Sequence, residues 1–397
     1  MKIHGYVSLC ALALLIACDG GPDLLDGGPD ADTAMPPDGG TRRDSGWDMD
    51  SGPSPDDGGA TDASPSDSGL DAGAPSDLAW LDETPATLPS RAHHVAYLNF
   101  VGGAVRRSGV SRAHRNQTTV GYTGVEEDVF VPPFMAQRYF IGFTGAGRTR
   151  QAIIDRIAAA VRAHYATVDL QVTTTRPSDA EFLMVVIGGE NADWDPRRIN
   201  GITQSGTCDA DEPNGIAHTF SRSLELPEGF SGYGAVGLTT THELAHMLGL
   251  RHNRNPDSLM HAPSSGSSAW AVGAPTDTRC GRELQDDLAV LVANLGANVP
   301  RDPIAPHTSD PDPPELLVER AGDTLTIIVS DASPVRYVSL RVFSESPRPE
   351  LNNPGLLHES YVFGSTTTLD VSDFGGATLE ILAPDRWDNM AVVEVDL

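Results

Sequence analysis

Residues His242 to His252 read HELAHMLGLRH, and few local structures can satisfy that string. His242 and His246 are four apart, so on an α-helix both rings project from one face, one turn apart. Gly249 can take a positive φ, which lets the chain turn sharply there. The turn returns His252 to the same place. Three imidazoles converging in this way suit a Zn²⁺ ion at about 2.0–2.1 Å from each nitrogen. Three protein ligands leave a fourth position open, which is the catalytic rather than the structural arrangement of zinc. Glu243 sits beside the first ligand, where its carboxylate reaches a water and not the metal. A helix carrying three unrelated histidines is the bland alternative, and a bare H-E-x-x-H would leave it standing. The longer string fixes five positions and so disfavours it.

The string resembles the zinc signature of the metzincin metalloproteases. Ser258-Leu-Met-His261 follows at short spacing, and the resemblance makes Met260 the methionine that these enzymes place beneath the metal. It implies a zinc-dependent endopeptidase acting on protein or peptide substrates, with His242, His246 and His252 as ligands. Zinc would acidify a water towards a pKa of about 7 and polarise the scissile carbonyl. Glu243 would take the water's proton as general base and pass it to the leaving amine. No serine or cysteine nucleophile is needed. His261 and Ala262 stand where some metzincin families have a tyrosine, so no tyrosine-assisted mechanism and no narrow family follows.

Gly215-Ile-Ala-His-Thr-Phe220 alternates like a strand just before the zinc helix. In the matrixin branch a similar stretch is an edge strand that pairs with extended substrate. Ile216, Ala217, His218 and Thr219 are therefore expected to form a substrate-binding edge, by strand addition. His218 falls where matrixins often place a structural zinc ligand. The rest of that set is missing, and a plain strand histidine is the expectation. Calcium has no motif here, though the resemblance leaves room for it.

The chain begins as an export signal. Lys2 precedes a short apolar run from Tyr6 to Ala17, too short for a span of about 20 residues. Leu15-Ile-Ala-Cys18 resembles a bacterial lipobox, which makes Cys18 a lipidated residue and the membrane a partner through that anchor. From Asp19 to Pro89 the sequence is rich in Asp, Gly, Pro and Ser, too poor in apolar residues to build a core. It holds 17 acidic and 2 basic residues, a net of −15 out of the chain's −28. Acidity on this scale argues against nucleic acid as a partner. Of the four cysteines, Cys10 leaves with the signal and Cys18 carries lipid. Cys208 and Cys280 are expected to pair as a disulfide in an exported, oxidising setting.

The chain thus divides into a signal at 1–17, an acidic tether at 18–90, a catalytic domain at 91–297, a Pro/Asp-rich linker at 298–314 and a C-terminal domain at 315–397. In the catalytic domain we expect strands at Val95–Phe100, Arg138–Phe143, Leu170–Thr174 and Phe182–Ile187, and helices at Arg148–His164, from Thr239–Thr241 onward, and at Gln285–Leu295. The last helix should bury Leu288, Leu291, Val292 and Leu295, and end at Gly296. From Glu315 the pattern is all strand, as in a small β-sandwich. Its end, Asp385-Arg-Trp-Asp-Asn389, resembles that of bacterial immunoglobulin-like domains. No catalytic constellation appears in it. A stabilising or spacing role, or a binding one, is open.

The fold class expected is an α+β metzincin-like domain, a mixed sheet with an active-site helix, followed by an all-β sandwich. The assembly expected is an exported, lipid-anchored monomer. Two rival functions remain: a surface adhesin that has lost catalysis, and a structural envelope lipoprotein whose zinc only stabilises it.

Overall fold

Val95 to Leu98 alternates between two faces of a sheet, and both faces are buried. That pattern places the strand at the centre of a layered structure. The computed structural model describes residues 94–121, 124–139, 149–177, 181–190, 199–203, 214–224, 232–261, 267, 269–276, 281–304, 310–344 and 355–397. The signal, the lipobox Cys18, the acidic tether and both Cys208 and Cys280 lie outside the described residues.

In chain order the first half runs β1 (His94–Asn99), β2 (Gly103–Arg107), β3 (Gln117–Thr118), β4 (Glu127–Val131), α1 (Arg150–His164), β5 (Leu170–Thr173), β6 (Leu183–Gly188), β7 (Gly201–Thr203), β8 (Ile216–Phe220), α2 (Gly232–Met247), β9 (Val272–Gly273), β10 (Gln285–Asp286) and α3 (Asp287–Leu295). Its main sheet has the order β5-β1-β6-β8-β7. The first four of these strands run parallel, and β7 is antiparallel to β8. Ala96, Leu98, Leu183, Val185, Ile187 and Ala217 share a core with the apolar sides of α1 and α2. Val95, Tyr97, Met184, Val186 and Ile216 point the other way, onto Val105 of β2 and Val131 of β4. The β2-β3-β4 sheet that covers this face had no expectation from sequence.

Thr149 caps α1 by accepting from the Ala152 N–H at 3.2 Å. Ile153, Ile154, Ile157, Ala158 and Val161 form its buried stripe, as the periodicity predicts. Where α1 meets α2, a methyl on Gly237 would lie 3.3 Å from the Ala160 Cβ. Three expectations need correction. The helix α2 already runs from Gly232, so Thr239–Thr241 are not its caps. Thr241 donates its hydroxyl to the Gly237 carbonyl at 2.8 Å, the back-bond that lets threonine sit within a helix. Residues 136–139 form a 3₁₀ turn, so the strand expected from Arg138 does not begin there; its remainder, 140–143, lies outside the described residues. In α3, Leu291 and Leu295 are buried but Leu288 and Val292 face outward: the helix runs from Asp287, capped by Asp286, and buries only the single i, i+4 row Asp287, Leu291 and Leu295.

The second half comprises β11 (Glu315–Ala321), β12 (Thr324–Ser330), β13 (Val338–Ser344), β14 (Leu356–Val362), β15 (Thr366–Asp370), β16 (Ala377–Pro384) and β17 (Met390–Asp396). These make two antiparallel sheets, β11-β12-β15 and β14-β13-β16-β17. Leu325, Ile327, Leu340, Val342, Leu379 and Ile381 fill the core between them. The all-β expectation for this region holds.

The two halves meet through buried polar contacts. Arg341 is fully buried and donates to the Pro133 carbonyl at 2.6 Å and the Phe134 carbonyl at 3.3 Å. Arg222 and Arg341 both bind the Glu359 carboxylate. Asp388 accepts from Tyr97 at 3.0 Å and Arg176 at 2.9 Å, and also binds Arg336. Nor is the 298–314 segment a free linker. Arg301 pairs with Asp169, Asn298 donates to the Ala166 carbonyl, and Ile304 packs into the core beneath β1. All of these residues belong to one compact unit. Among the described residues no helix is long and apolar enough to cross a membrane.

Candidate metal centre

The helix α2 carries His242 and His246 on one face, with Leu244, Ala245 and Leu248 fully buried on the other. Gly249 has φ 94°, and the chain turns there as the sequence requires. His252 comes back to the first two rings. The Nε2 of His242 lies 3.1 Å from that of His246 and 3.2 Å from that of His252. A tetrahedral zinc at about 2.0–2.1 Å from each nitrogen would separate its ligands by about 3.3–3.4 Å. The three rings are therefore spaced as a zinc site needs.

The other ring nitrogens are held from behind. His242 Nδ1 is 2.8 Å from the Leu259 carbonyl, and His246 Nδ1 is 2.8 Å from the Leu250 carbonyl. A carbonyl can only accept, so each Nδ1 carries the proton and each Nε2 presents its lone pair. Burial lowers the pKa of His242 to about 4, that of His246 well below the ordinary value, and that of His252 below it too. Neutral imidazoles are what metal binding requires. The three histidines form one of two ligand clusters among the described residues.

Glu243 follows His242 on the helix and is 7% exposed. Burial pushes its carboxyl up to about 8, and a cation held by the adjacent rings would oppose that shift. Gly201 of β7 lies directly against it: a methyl there would sit 2.6 Å from the Glu243 Cγ and Oε1. Only glycine lets the strand pass so close to the carboxylate. Sequence reading passed over Gly201, although the Asn200-Gly201 pair is an ordinary turn signal.

Met260 is fully buried in the turn after His252. Its N–H donates to Ser258 Oγ at 2.9 Å, and its carbonyl accepts from the Asn253 N–H at 2.8 Å. The preceding Leu259 supplies the carbonyl that orients His242. The turn thus supports the histidines directly, where the resemblance expects Met260. A second group holding it was not seen in the sequence. Asp287, fully buried at the start of α3, accepts from Ser258 Oγ at 2.6 Å, Gln285 Nε2 at 2.8 Å, the Ala271 N–H at 3.2 Å and Asn253 Nδ2 at 3.3 Å. Gln285 also exchanges hydrogen bonds with the Arg251 backbone. This polar hub ties the return of His252 to the turn of Met260. An Asp opening a helix reads locally as a cap, so its long-range role left no trace in the pattern.

The expected substrate edge is corrected. Ile216, Ala217, His218 and Thr219 lie within β8, which is flanked on both sides: β6 pairs with Ile216–Phe220, and β7 pairs with Ala217, His218 and Thr219. The main chain of Ala217, His218 and Thr219 is flanked by a strand on each side, and all four residues are buried. The outer strand beside the metal centre is β7. His218 stacks on Phe220 with ring planes 9° apart. Burial, with the Arg107 charge, lowers its pKa to about 3. It stands outside the histidine cluster, so no ligand role is assigned to it.

No protein-family model matches the chain, and no curated protein matches it. Solved structures similar to it include wild-type OgpA from Akkermansia muciniphila, at 13% identity over 66% of this chain and 73% of that one, with a TM-score of 0.18. They also include a catalytically inactive OgpA in complex with an O-glycopeptide, glycodrosocin, at 11% identity over 81% and 96% of the two chains, with a TM-score of 0.19. Scores so low fix neither fold nor chemistry, and the case for the site rests on its own geometry.

Proposed function

We propose that the chain is a zinc-dependent endopeptidase. The observation that carries this reading is the convergence of three neutral, backbone-oriented imidazoles beside one buried carboxylate. His242, His246 and His252 would hold the ion, which when bound supplies Lewis acidity towards a peptide carbonyl and makes a water more acidic. Three protein donors leave room for water and substrate. Glu243 follows His242 on the same helix but is outside the ligand set. It is placed to take a proton from a water in the cleft and return one to a leaving amine. Gly201 keeps its carboxylate in position. The strand β7 is the outer member of the main sheet, and an extended peptide adding to it would lie next to Glu243. A structural zinc would call for a fourth protein ligand, and the described histidine cluster has three.

The lipid anchor at Cys18 and the acidic segment that follows it belong to the same proposal, as a means of holding the enzyme at a membrane surface outside the cell. The test of function is cleavage of an unfolded polypeptide by the full chain. Chelation should abolish cleavage and stoichiometric zinc should restore it. Cleavage indifferent to chelator would refute the proposal.

A further inference from the structure

A second set of ligating side chains lies away from the histidines. Asp310 lies in the segment that joins the two halves, Asp331 follows β12, and Asp385 follows β16. Each offers a carboxylate oxygen, and the three oxygens lie within 4.8 Å of one another. Asp385 is fully buried and Asp310 is 6% exposed. The cluster is not neutralised from within. None of the three is ion-paired to a basic side chain among the described residues.

Two of the oxygens point to something further. Asp310 Oδ2 and Asp331 Oδ2 are sealed from solvent and accept no hydrogen bond. A sealed, unsatisfied acceptor costs about 1–3 kcal/mol, and more when charged. The surroundings are otherwise well ordered. Asp385 Oδ1 accepts from the Trp387 and Asn389 N–H groups at 2.7 and 2.8 Å, and its Oδ2 from Asn389 Nδ2 at 2.8 Å. The same Asn389 amide reaches the Asp310 carbonyl at 2.9 Å. Asp331 Oδ1 accepts from the Ser333 N–H at 3.3 Å. So Asp310 and Asp385 are held in place by backbone and amide while two carboxylate oxygens are left facing their neighbours.

We propose that Asp310, Asp331 and Asp385 bind a divalent cation, calcium, at the junction of the two halves. The donors are all hard oxygens, which suit calcium or magnesium better than zinc. Calcium accepts irregular all-protein geometry, whereas magnesium keeps most of its water. Burial raises Asp385 to about 7 and, aided by the Asp310 charge, raises Asp331 as well; a bound cation reverses both shifts. The site also has a structural consequence. The Asp385–Asn389 turn carries Asp388, which receives Tyr97 and Arg176 from one half and Arg336 from the other. Calcium would lock the joining segment and this turn together, and through Asp388 the sandwich onto the catalytic half.

The test is calcium titration of the full, zinc-saturated chain, compared with Asp331→Asn. Asp331 is the least buried of the three, so its variant should fold. The wild type should bind one calcium with a dissociation constant of about 10⁻⁴–10⁻³ M, as extracellular modules do. Its unfolding temperature should rise with calcium, and terbium should emit when excited through Trp387, next to the site. Asp331→Asn should lose the rise and the emission while keeping its zinc. Weak binding by the acidic 19–89 segment is common to both proteins and cancels. Asp310→Asn serves as the second variant. A wild type that shows no calcium response, or variants that respond as it does, would overturn the proposal and leave a shared proton as the way the carboxyls are neutralised.

Discussion

Replacing Asp287 with alanine should loosen the metal centre without touching a ligand. The carboxylate receives three buried donors, from Ser258, Gln285 and Asn253, and a partly buried one, the Ala271 N–H. Each donor left unsatisfied costs about 1–3 kcal/mol, and losses within one network are not additive. Water entering the space would recover part. A net loss of about 3–4 kcal/mol is the expectation, large for a single substitution. Against a typical stability of about 5–15 kcal/mol, most of the protein stays folded at room temperature. The metal should respond too, because Ser258 and Asn253 flank the turn whose Leu259 carbonyl orients His242. Loss of such supporting contacts costs about 10–100-fold in metal affinity. The assay is zinc competition against a chromophoric chelator, run beside denaturant unfolding of the zinc-loaded and zinc-free protein. Wild-type zinc affinity in a variant with near-wild-type unfolding would refute the idea that this hub holds the site.

Gly201→Ala should lower cleavage by about 10²-fold with zinc content unchanged, since the added methyl displaces the Glu243 carboxylate by a fraction of an ångström to an ångström; full activity would show that β7 does not set its position. Cys18→Ser should move the protein from the membrane to the soluble fraction with its specific activity intact, because the proposed attachment is the lipid on Cys18; persistent membrane association would contradict it. The contact between the halves should weaken in acid. Burial alone would raise the Glu359 pKa, but the hydrogen bonds from Arg222 and the charge of Arg341 outweigh it and hold the carboxyl at about 2. A carboxyl depressed in the folded state stabilises fully above its unfolded pKa of about 4.3 and loses that contribution as the pH falls towards 2. The stability gap between wild type and Glu359→Gln should therefore shrink between pH 4.5 and 2, and a gap independent of pH would contradict this.

The histidine helix, the turn at Gly249 and the return of His252 were legible because each depends on residues within eleven positions. The central strands and α1 were legible from period alone, as their apolar residues recur at the spacing that burial demands. What could not be read depends on distant partners. The Asp287 hub joins residues up to 36 positions apart, through groups whose local meaning is a helix cap or a turn. The β7 strand is three residues long and opens on a glycine, so it has no period to detect, and without it β8 looked like an edge. Arg341 alternates with apolar neighbours in an ordinary strand, and Glu359 sits between His358 and Ser360 in another; only the packing of the sandwich on the first half turns them into a buried pair. The three aspartates around Asp385 come from segments 21 to 75 residues apart and match no loop motif.

The central claim is that Glu243 performs the proton transfer for a metal held by three histidines. It is tested most directly by kcat/KM and zinc stoichiometry measured on the same preparations of wild type and Glu243→Ala. The account predicts one zinc per chain in both, with cleavage by the variant reduced about 10²–10⁴-fold or more. A pure variant that retains zinc and cleaves at the wild-type rate would contradict it.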